Sequence, residues 1–529
     1  MTNSNITPQD KKSLAKGRMG LLMGIFTLAV LCILPVVYDD YYFNILETKY
    51  QTYSIMAIAM MVIMLGYGLW TEVFIDLLKE FNIKRIMKSL NIADWSMLIF
   101  WFANVLSWIF CSVWRWEAFW GTSGRYNGVF LMTIYMVVYF MVTRVLTFRK
   151  WYLDAFLAIG IFVCLFGITD YFQMDLLGFK RNMVEQQKAI YTSTFGNINT
   201  YTIYVAAHMI IASILFAVEQ CPKKQIWYYV NLVISCFALI MGCSDNAYLS
   251  LAALFGLSPL YLFKSKRGTS RYLVIMATFF TVVLAIAKIN VAYAGIVYGI
   301  DSAFVILSNM SILPAIVLGL WIAAGGMIVY FKKNNRGTDE MCKWVSLAWI
   351  GVIVLVVSIV GFAFYDATIL GNSARYGSLA PYVTFSESWG TNRGYVWIRA
   401  IQIWSEYLTP IQKLVGYGAD TLGLIMRMYY PPMMTDSGPV VFDSAHNEYL
   451  HYLVTIGVLG MLAYISFLAS SIMIMWKRVS GRPEVAAVMF AIVAYAVQAV
   501  VNINLPVAMP IILQLLAMGL SRGPEKENE

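Results

Sequence analysis

Charge is scarce in this 529-residue chain: Asp, Glu, Lys and Arg make up 13% of it, against roughly 25% in soluble domains. With 60% hydrophobic residues and a mean hydropathy of +0.68, that scarcity excludes a soluble domain, because no polar stretch is long enough to fold a separate core. Histidine is rarer still, with three in the whole chain. The seven cysteines are scattered, with no CxxC and no Cys/His ligand spacing, which excludes a zinc module and leaves them as packing residues. Cys111 and Cys243 alone fall near outer helix ends, so a disulfide between them stays open. No P-loop, soluble-type repeat or low-complexity tract is present. No small-residue cleavage site follows the first apolar run, which leads into Pro35-Val-Val-Tyr-Asp-Asp; it is therefore expected to be retained as a helix. The formal charge of +9 comes from short basic clusters between apolar runs rather than from a basic domain, so nucleic acid is not an expected partner.

What is present is a succession of apolar runs. At about 20 residues per crossing, spans are expected near 19–38, 53–74, 92–111, 128–147, 152–172, 198–218, 227–242, 246–263, 272–290, 303–331, 344–366, 448–475, 485–501 and 506–520. The fold class is thus all-α, a polytopic integral membrane protein with about 14 transmembrane helices. Placing the N-terminus inside puts 26 of the 38 Lys and Arg residues on the inner side, as the positive-inside rule requires. Both termini are then cytoplasmic. The chain divides into an N-terminal tail (1–18), eleven helices (19–366), a long extracytoplasmic loop (367–447), three more helices (448–520) and a C-terminal tail (521–529).

The long loop breaks the charge rule, since Arg375, Arg393, Arg399, Lys413 and Arg427 all lie in it. It is too long for a plain connection and too apolar for disorder, so it is expected to be ordered and functional. Within it Trp397, Ile401, Trp404 and Leu408 recur at helical spacing opposite Arg399, Gln402 and Glu406, the pattern of short amphipathic helices on a membrane surface. Thr391 and Asn392 are the expected caps, which places Arg393 at a helix N-terminus, a setting that favours an anion. Gly416-Tyr-Gly418 supplies a turn and Pro431-Pro432 a helix break. Two other outer loops carry turn and aromatic residues: 114–128, with Arg125, and 173–199, ending in Thr192-Ser-Thr-Phe-Gly-Asn-Ile-Asn199.

Where the long loop turns into the next apolar helix the sequence reads Asp443-Ser-Ala-His446-Asn447-Glu448-Tyr-Leu-His451. Ser444 or Asp443 is expected to cap that helix, and the unpaired amides and dipole disfavour charge on His446, leaving it able to accept a proton. A neutral base beside cationic anion binders suits transfer chemistry on a lipid phosphate. The plain alternative is that His446 is a satisfied interfacial residue, Arg393 a snorkelling arginine and Arg399 part of a solvated face. His446 and His451 are five residues apart, about 140° on a helix, unlike the i, i+4 pairing of a metal helix; no metal or other cofactor is expected. His208 reads as buried packing or a helix–helix hydrogen bond, and Gly457 and Gly460 as close-packing positions.

These residues carry a resemblance. Arg393-Gly-Tyr-Val-Trp397, Pro410-Ile-Gln-Lys-Leu-Val-Gly416-Tyr-Gly418, and His446-Asn447-Glu-Tyr-Leu450 with Gly457 and Gly460 resemble the signature region of the O-antigen ligase and O-antigen polymerase family. Gly124-Arg125-Tyr126-Asn127-Gly128 and Thr194-Phe-Gly-Asn-Ile-Asn199 are similar to its upstream patterns. The middle-helix Ser-Arg-Gly-like triplet of the family has its best match in Cys243-Ser244-Asp245-Asn246, where the arginine is missing. The resemblance implies a multi-pass protein of the bacterial cytoplasmic (inner) membrane. Its donor would be an undecaprenyl-pyrophosphate-linked glycan, its acceptor a glycan or lipid-glycan, and its surroundings membrane lipids. His446 would be the general base, with Arg393, Arg125, Arg399 and Asn447 binding substrate or pyrophosphate. The alternative of another class is a transporter or lipid-glycan flippase.

Overall fold

The computed structural model describes residues 8–79, 82–111, 113–300, 303–334, 339–435 and 438–523. Residues 1–7 and 524–529 of the two expected tails, together with Arg336 and Lys526 from the inner charge count, lie outside them. The principal helices are α1 (Pro8–Leu28), α2 (Ile45–Trp70), α3 (Ile92–Phe110), α4 (Val129–Val145), α5 (Trp151–Tyr171), α6 (Ile198–Val218), α7 (Pro222–Met241), α8 (Asn246–Leu257), α9 (Lys266–Ala292), α10 (Leu313–Lys333) and α11 (Lys343–Thr368). After a long connecting segment come α12 (Trp389–Gln402), α13 (Leu422–Tyr429), α14 (Glu448–Thr455), α15 (Gly457–Arg478), α16 (Pro483–Gln498) and α17 (Met509–Leu520). Among the described residues the β structure comprises two short antiparallel pairings, 191–192 with 196–197 and 433–435 with 438–440, and two isolated bridges.

Among the described residues ten helices are long and apolar enough to cross a membrane, and four further apolar helices are shorter: 129–145, 246–262, 483–498 and 509–520. Two expected spans come apart. The run 303–331 is a short helix, Ala303–Ser308, followed by α10. The run 448–475 is broken at Ile456 into α14 and α15, because Gly457 takes a left-handed φ of 70° and packs against the backbone of Leu414. A side chain there would collide with that carbonyl.

The helices differ greatly in how they are covered. Helix α6 is almost wholly buried, between α7 and α16, whereas the apolar window of α11 has none of its residues buried. Helix α15 packs along α3, which fixes the start of α14 and α15 beside the 114–128 loop.

The clusters expected on the inner side gather at one end of the bundle. Lys150 pairs with Glu219, Arg271 donates to the Glu219 carbonyl, Arg478 Nη1 donates to the Leu520 carbonyl at 2.6 Å, and the Phe148 amide donates to Arg522. His208 lies in α6 with Nε2 3.2 Å from the Leu157 carbonyl, the helix–helix hydrogen bond anticipated for it. All seven cysteines are free, Cys111 and Cys243 included.

Candidate functional site

The 409–429 stretch shapes one wall of the site. Thr409 caps the helix Pro410–Val415 in a reciprocal capping box with Gln412, and Gly416 (φ 90°) and Gly418 (φ 151°) turn the chain where a Cβ would strike the Thr455–Ile456 backbone or Cys111. That turn delivers Asp420 into the interior with a left-handed φ of 58°. Its carboxylate accepts from Arg125 Nε at 3.1 Å, from the Thr122 and Asn127 amides at 2.9 and 3.1 Å, and from Thr122 Oγ1 at 3.1 Å. Arg125 is therefore buried, at 2% exposure, and held by a fixed partner. Burial pushes the Asp420 carboxyl upward, while Arg125 and the two amides pull it down.

The second wall is α12. Gly390, Thr391 and Asn392 take φ values of 60°, 57° and 68°, so regular helix begins at Arg393 and neither Thr391 nor Asn392 caps it in the expected way. A β-branched threonine in the left-handed region is strained, and the strain sits beside Arg393, whose Nη1 donates to the Gly390 carbonyl at 2.9 Å. The buried stripe of this helix is Val396, Ala400 and Ile403, with Ile401 51% exposed. The apolar face is thus rotated by one position from the expected Trp397–Ile401–Trp404 line, Leu408 alone of the expected four being buried. Trp397 earns its place otherwise: its indole N–H donates to the Ala445 carbonyl at 3.0 Å, tying α12 to the residue before His446.

His446 lies outside the helix, with φ 45°. The cap of α14 is Asn447, whose side chain accepts from the Leu450 amide at 3.0 Å, and not Ser444 or Asp443. Burial, Arg393 and, more weakly, Arg125 push the His446 imidazole down to about 4, with Asp443 opposing them. Desolvation and the two arginines thus favour the neutral ring. Arg125 Nη1 stands 3.9 Å from Asp443 Oδ1. His446 Nδ1, Arg125 Nη1 and Arg393 Nε are buried polar atoms without a hydrogen-bond partner among the described residues, pointing to a site built for a polar ligand.

Of the anticipated residues, the fold brings His446, Arg393 and Arg125 together. Arg399 goes elsewhere: it bonds Glu387 at 2.9 Å and Gln402 at 2.8 Å and stacks over Tyr395 and Tyr430. Asn447 spends its carbonyl oxygen on the helix cap. The 140° separation expected for His446 and His451 does not apply, because only His451 is helical; its Nε2 lies 3.9 Å from Asp420 Oδ1.

Three contributors went unseen in the sequence. Asp420 follows a glycine turn and looks like turn chemistry. Glu448 accepts from Tyr464 and Tyr495 at 2.9 and 2.8 Å and from Tyr452 at 3.2 Å, a buried hub that anchors α14; no local pattern announces it. A water-sized cavity between the two is lined by Arg125, Asp420, Glu448 and His451. Asp245 is the third. Asn199 Oδ1 accepts from Ser244 Oγ at 2.7 Å and Asn246 Nδ2 at 3.1 Å, so two of the motif-like stretches lock together and place Asp245 as the acid acting on Arg393. Burial depresses the Arg393 guanidinium and Asp245 counters it. Where the family pattern has an arginine, this chain sets a carboxylate opposite one.

Among the described residues no group of three or more His, Cys, Asp or Glu side chains is arranged to hold a metal ion. No curated protein matches the chain. Residues 294–465, which include α12, Asp420 and His446, match the family model described as O-antigen ligase, so over that third of the chain the protein is similar to that family.

Proposed function

We propose that this chain transfers a glycan from an undecaprenyl-pyrophosphate carrier to an acceptor hydroxyl at the outer face of the cytoplasmic membrane, as a metal-independent ligase or polymerase of surface polysaccharide, with about fourteen crossings and both termini inside. The observation that carries the reading is a neutral histidine with two incompletely bonded arginines acting on it, Arg125 buried and Arg393 half-buried. In the reaction the acceptor oxygen attacks the anomeric carbon as the carbon–oxygen bond to pyrophosphate breaks. The acceptor proton passes to His446, and undecaprenyl pyrophosphate leaves with the bonding pair. Attack opposite the leaving group inverts the anomeric centre. Arg393, and Arg125 through Nη1, offset the charge that grows on the leaving group.

The arginines give the base a further property. In the free protein burial and these arginines together hold His446 down to about 4, too low for an effective base at neutral pH. A bound pyrophosphate would cancel much of their field and raise the imidazole, so the base strengthens when donor is in place. Arg399, already bonded on both sides, would shape α12 rather than touch the donor.

The test is reconstitution of the purified protein with lipid-pyrophosphate glycan and an acceptor. Transferred glycan that disappears in His446→Ala supports the reading; full turnover in that variant removes the base. A product ladder growing by repeat units identifies a polymerase, and single-step attachment a ligase.

A further inference from the structure

At the end of the bundle opposite His446, α7, α9 and α10 diverge around a groove of about 670 Å³, large enough for a substantial part of a lipid. Its two ends differ in chemistry. Arg267, Arg271 and Lys332 stand at the mouth, with Gln225, Ser270 and a single acid, Asp339, between them. Deeper in, the walls are Ile226, Val274, Trp321 and Ile328. These walls are not covered by protein: Ile226 is 65% exposed, and only 11% of the apolar window of α10 is buried.

The mouth is built as well as basic. Asp339 accepts from the Arg267 amide at 3.2 Å, and Arg271 caps α6 through the Phe216 and Glu219 carbonyls. Among the described residues, neither Arg267 nor Lys332 forms an ion pair, and with Asp339 the one acid in the lining, cationic charge is in excess at the groove opening. A surface that is cationic at the headgroup level and apolar one helix turn further in matches an amphiphile with an anionic head. The charge pattern of the chain puts this mouth on the cytoplasmic side.

We propose that the groove binds an anionic diacyl phospholipid of the inner leaflet, its phosphate between Arg267 and Lys332 and an acyl chain along Ile226, Val274 and Ile328. This site is independent of the glycan-transfer reading and lies at the other end of the molecule. Bound lipid would brace α10, which is held to the bundle mainly through α9 and the Trp321–Thr281 hydrogen bond of 3.0 Å.

Native mass spectrometry of the full chain, released from vesicles holding equal phosphatidylglycerol and phosphatidylcholine, reads the preference directly. The wild type is expected to retain phosphatidylglycerol over phosphatidylcholine by about tenfold or more, and Arg267→Gln/Lys332→Gln to lose that preference. Ile226→Trp, an exposed position that tolerates bulk, is expected to fill the groove and lower retention of phosphatidylglycerol while charge is unchanged. Equal retention of both lipids by the wild type overturns the proposal, as does a double variant or an Ile226→Trp variant that holds phosphatidylglycerol as the wild type does. If the double variant does not fold, the wild-type and Ile226→Trp measurements decide.

Discussion

Two arginines act on His446, and they are held in opposite ways. Arg125 is buried and bonded through Nε to Asp420, which is itself fixed by two backbone amides. Arg393 is half-buried, follows three left-handed residues, and donates to a backbone carbonyl and the threonine hydroxyl of its own turn. The first belongs to a rigid lattice that joins the 114–128 loop to the Gly416–Asp420 turn. The second is poised on a strained turn with an acid, Asp245, acting on it from α8's start. A buried pair is costly to break because one charge is stranded; a guanidinium on a strained turn can change partners cheaply. On this account Arg125 sets where the site is, and Arg393 responds to what enters it.

That contrast can be broken at either end. The largest effect belongs to His446, the proposed base: His446→Ala is expected to lower kcat by about 10²–10⁴-fold with little change in folding midpoint, read by a transfer assay beside thermal unfolding in detergent. Next, Arg393→Ala should cost about 10²–10³-fold in kcat and leave stability within about 0.5 kcal/mol. Asp420→Ala should do the converse, losing about 3–5 kcal/mol of stability, with Asp420→Leu/Arg125→Met recovering much of the stability and none of the activity. If Arg393→Ala unfolds the protein while Asp420→Ala does not, the roles are reversed.

Smaller changes sharpen the comparison. Asp245→Asn removes an anion that on the proposed reading competes with the donor for Arg393, and is expected to lower the donor KM a few-fold, by roughly 1 kcal/mol of relieved competition. Arg399→Gln, which opens a partly exposed pair with Glu387, should cost no more than about 1 kcal/mol of stability and leave kcat within a few-fold. A loss of transfer as large as that of Arg393→Ala would restore Arg399 to the site.

The sequence made the helical layout legible because apolar runs of membrane length have few alternatives, and it made His446 and Arg393 legible because cations in an outer loop oppose topological sorting. It could not show the tertiary ties. Asp420 looked like turn chemistry because its meaning comes from Arg125, nearly three hundred residues earlier in the chain. Glu448 stood out only as a member of the stretch around His446, since the three tyrosines that bind it come from α14, α15 and α16. The apolar face of α12 was misplaced by one position because Trp397 and Trp404 are large and apolar by composition, yet the buried stripe is the smaller Val396, Ala400 and Ile403. The break at Ile456 was hidden because hydropathy does not change across it, although Gly457 marks it.

The sign of the pH dependence follows from the same pair of arginines. A histidine whose folded value is lowered makes stability rise with pH between about 4 and its unfolded value near 6.5, and activity requires the deprotonated ring. The acid limb of kcat/KM reports the free protein and that of kcat the donor complex. The most direct measurement is therefore both pH profiles on wild type and Arg393→Ala. The expected result is a kcat/KM limb at about 4 in the wild type, a kcat limb at higher pH, and a kcat/KM limb moved upward in Arg393→Ala. Limbs that coincide near the ordinary histidine value of about 6.5 in both proteins would contradict the coupling of His446 to its arginines.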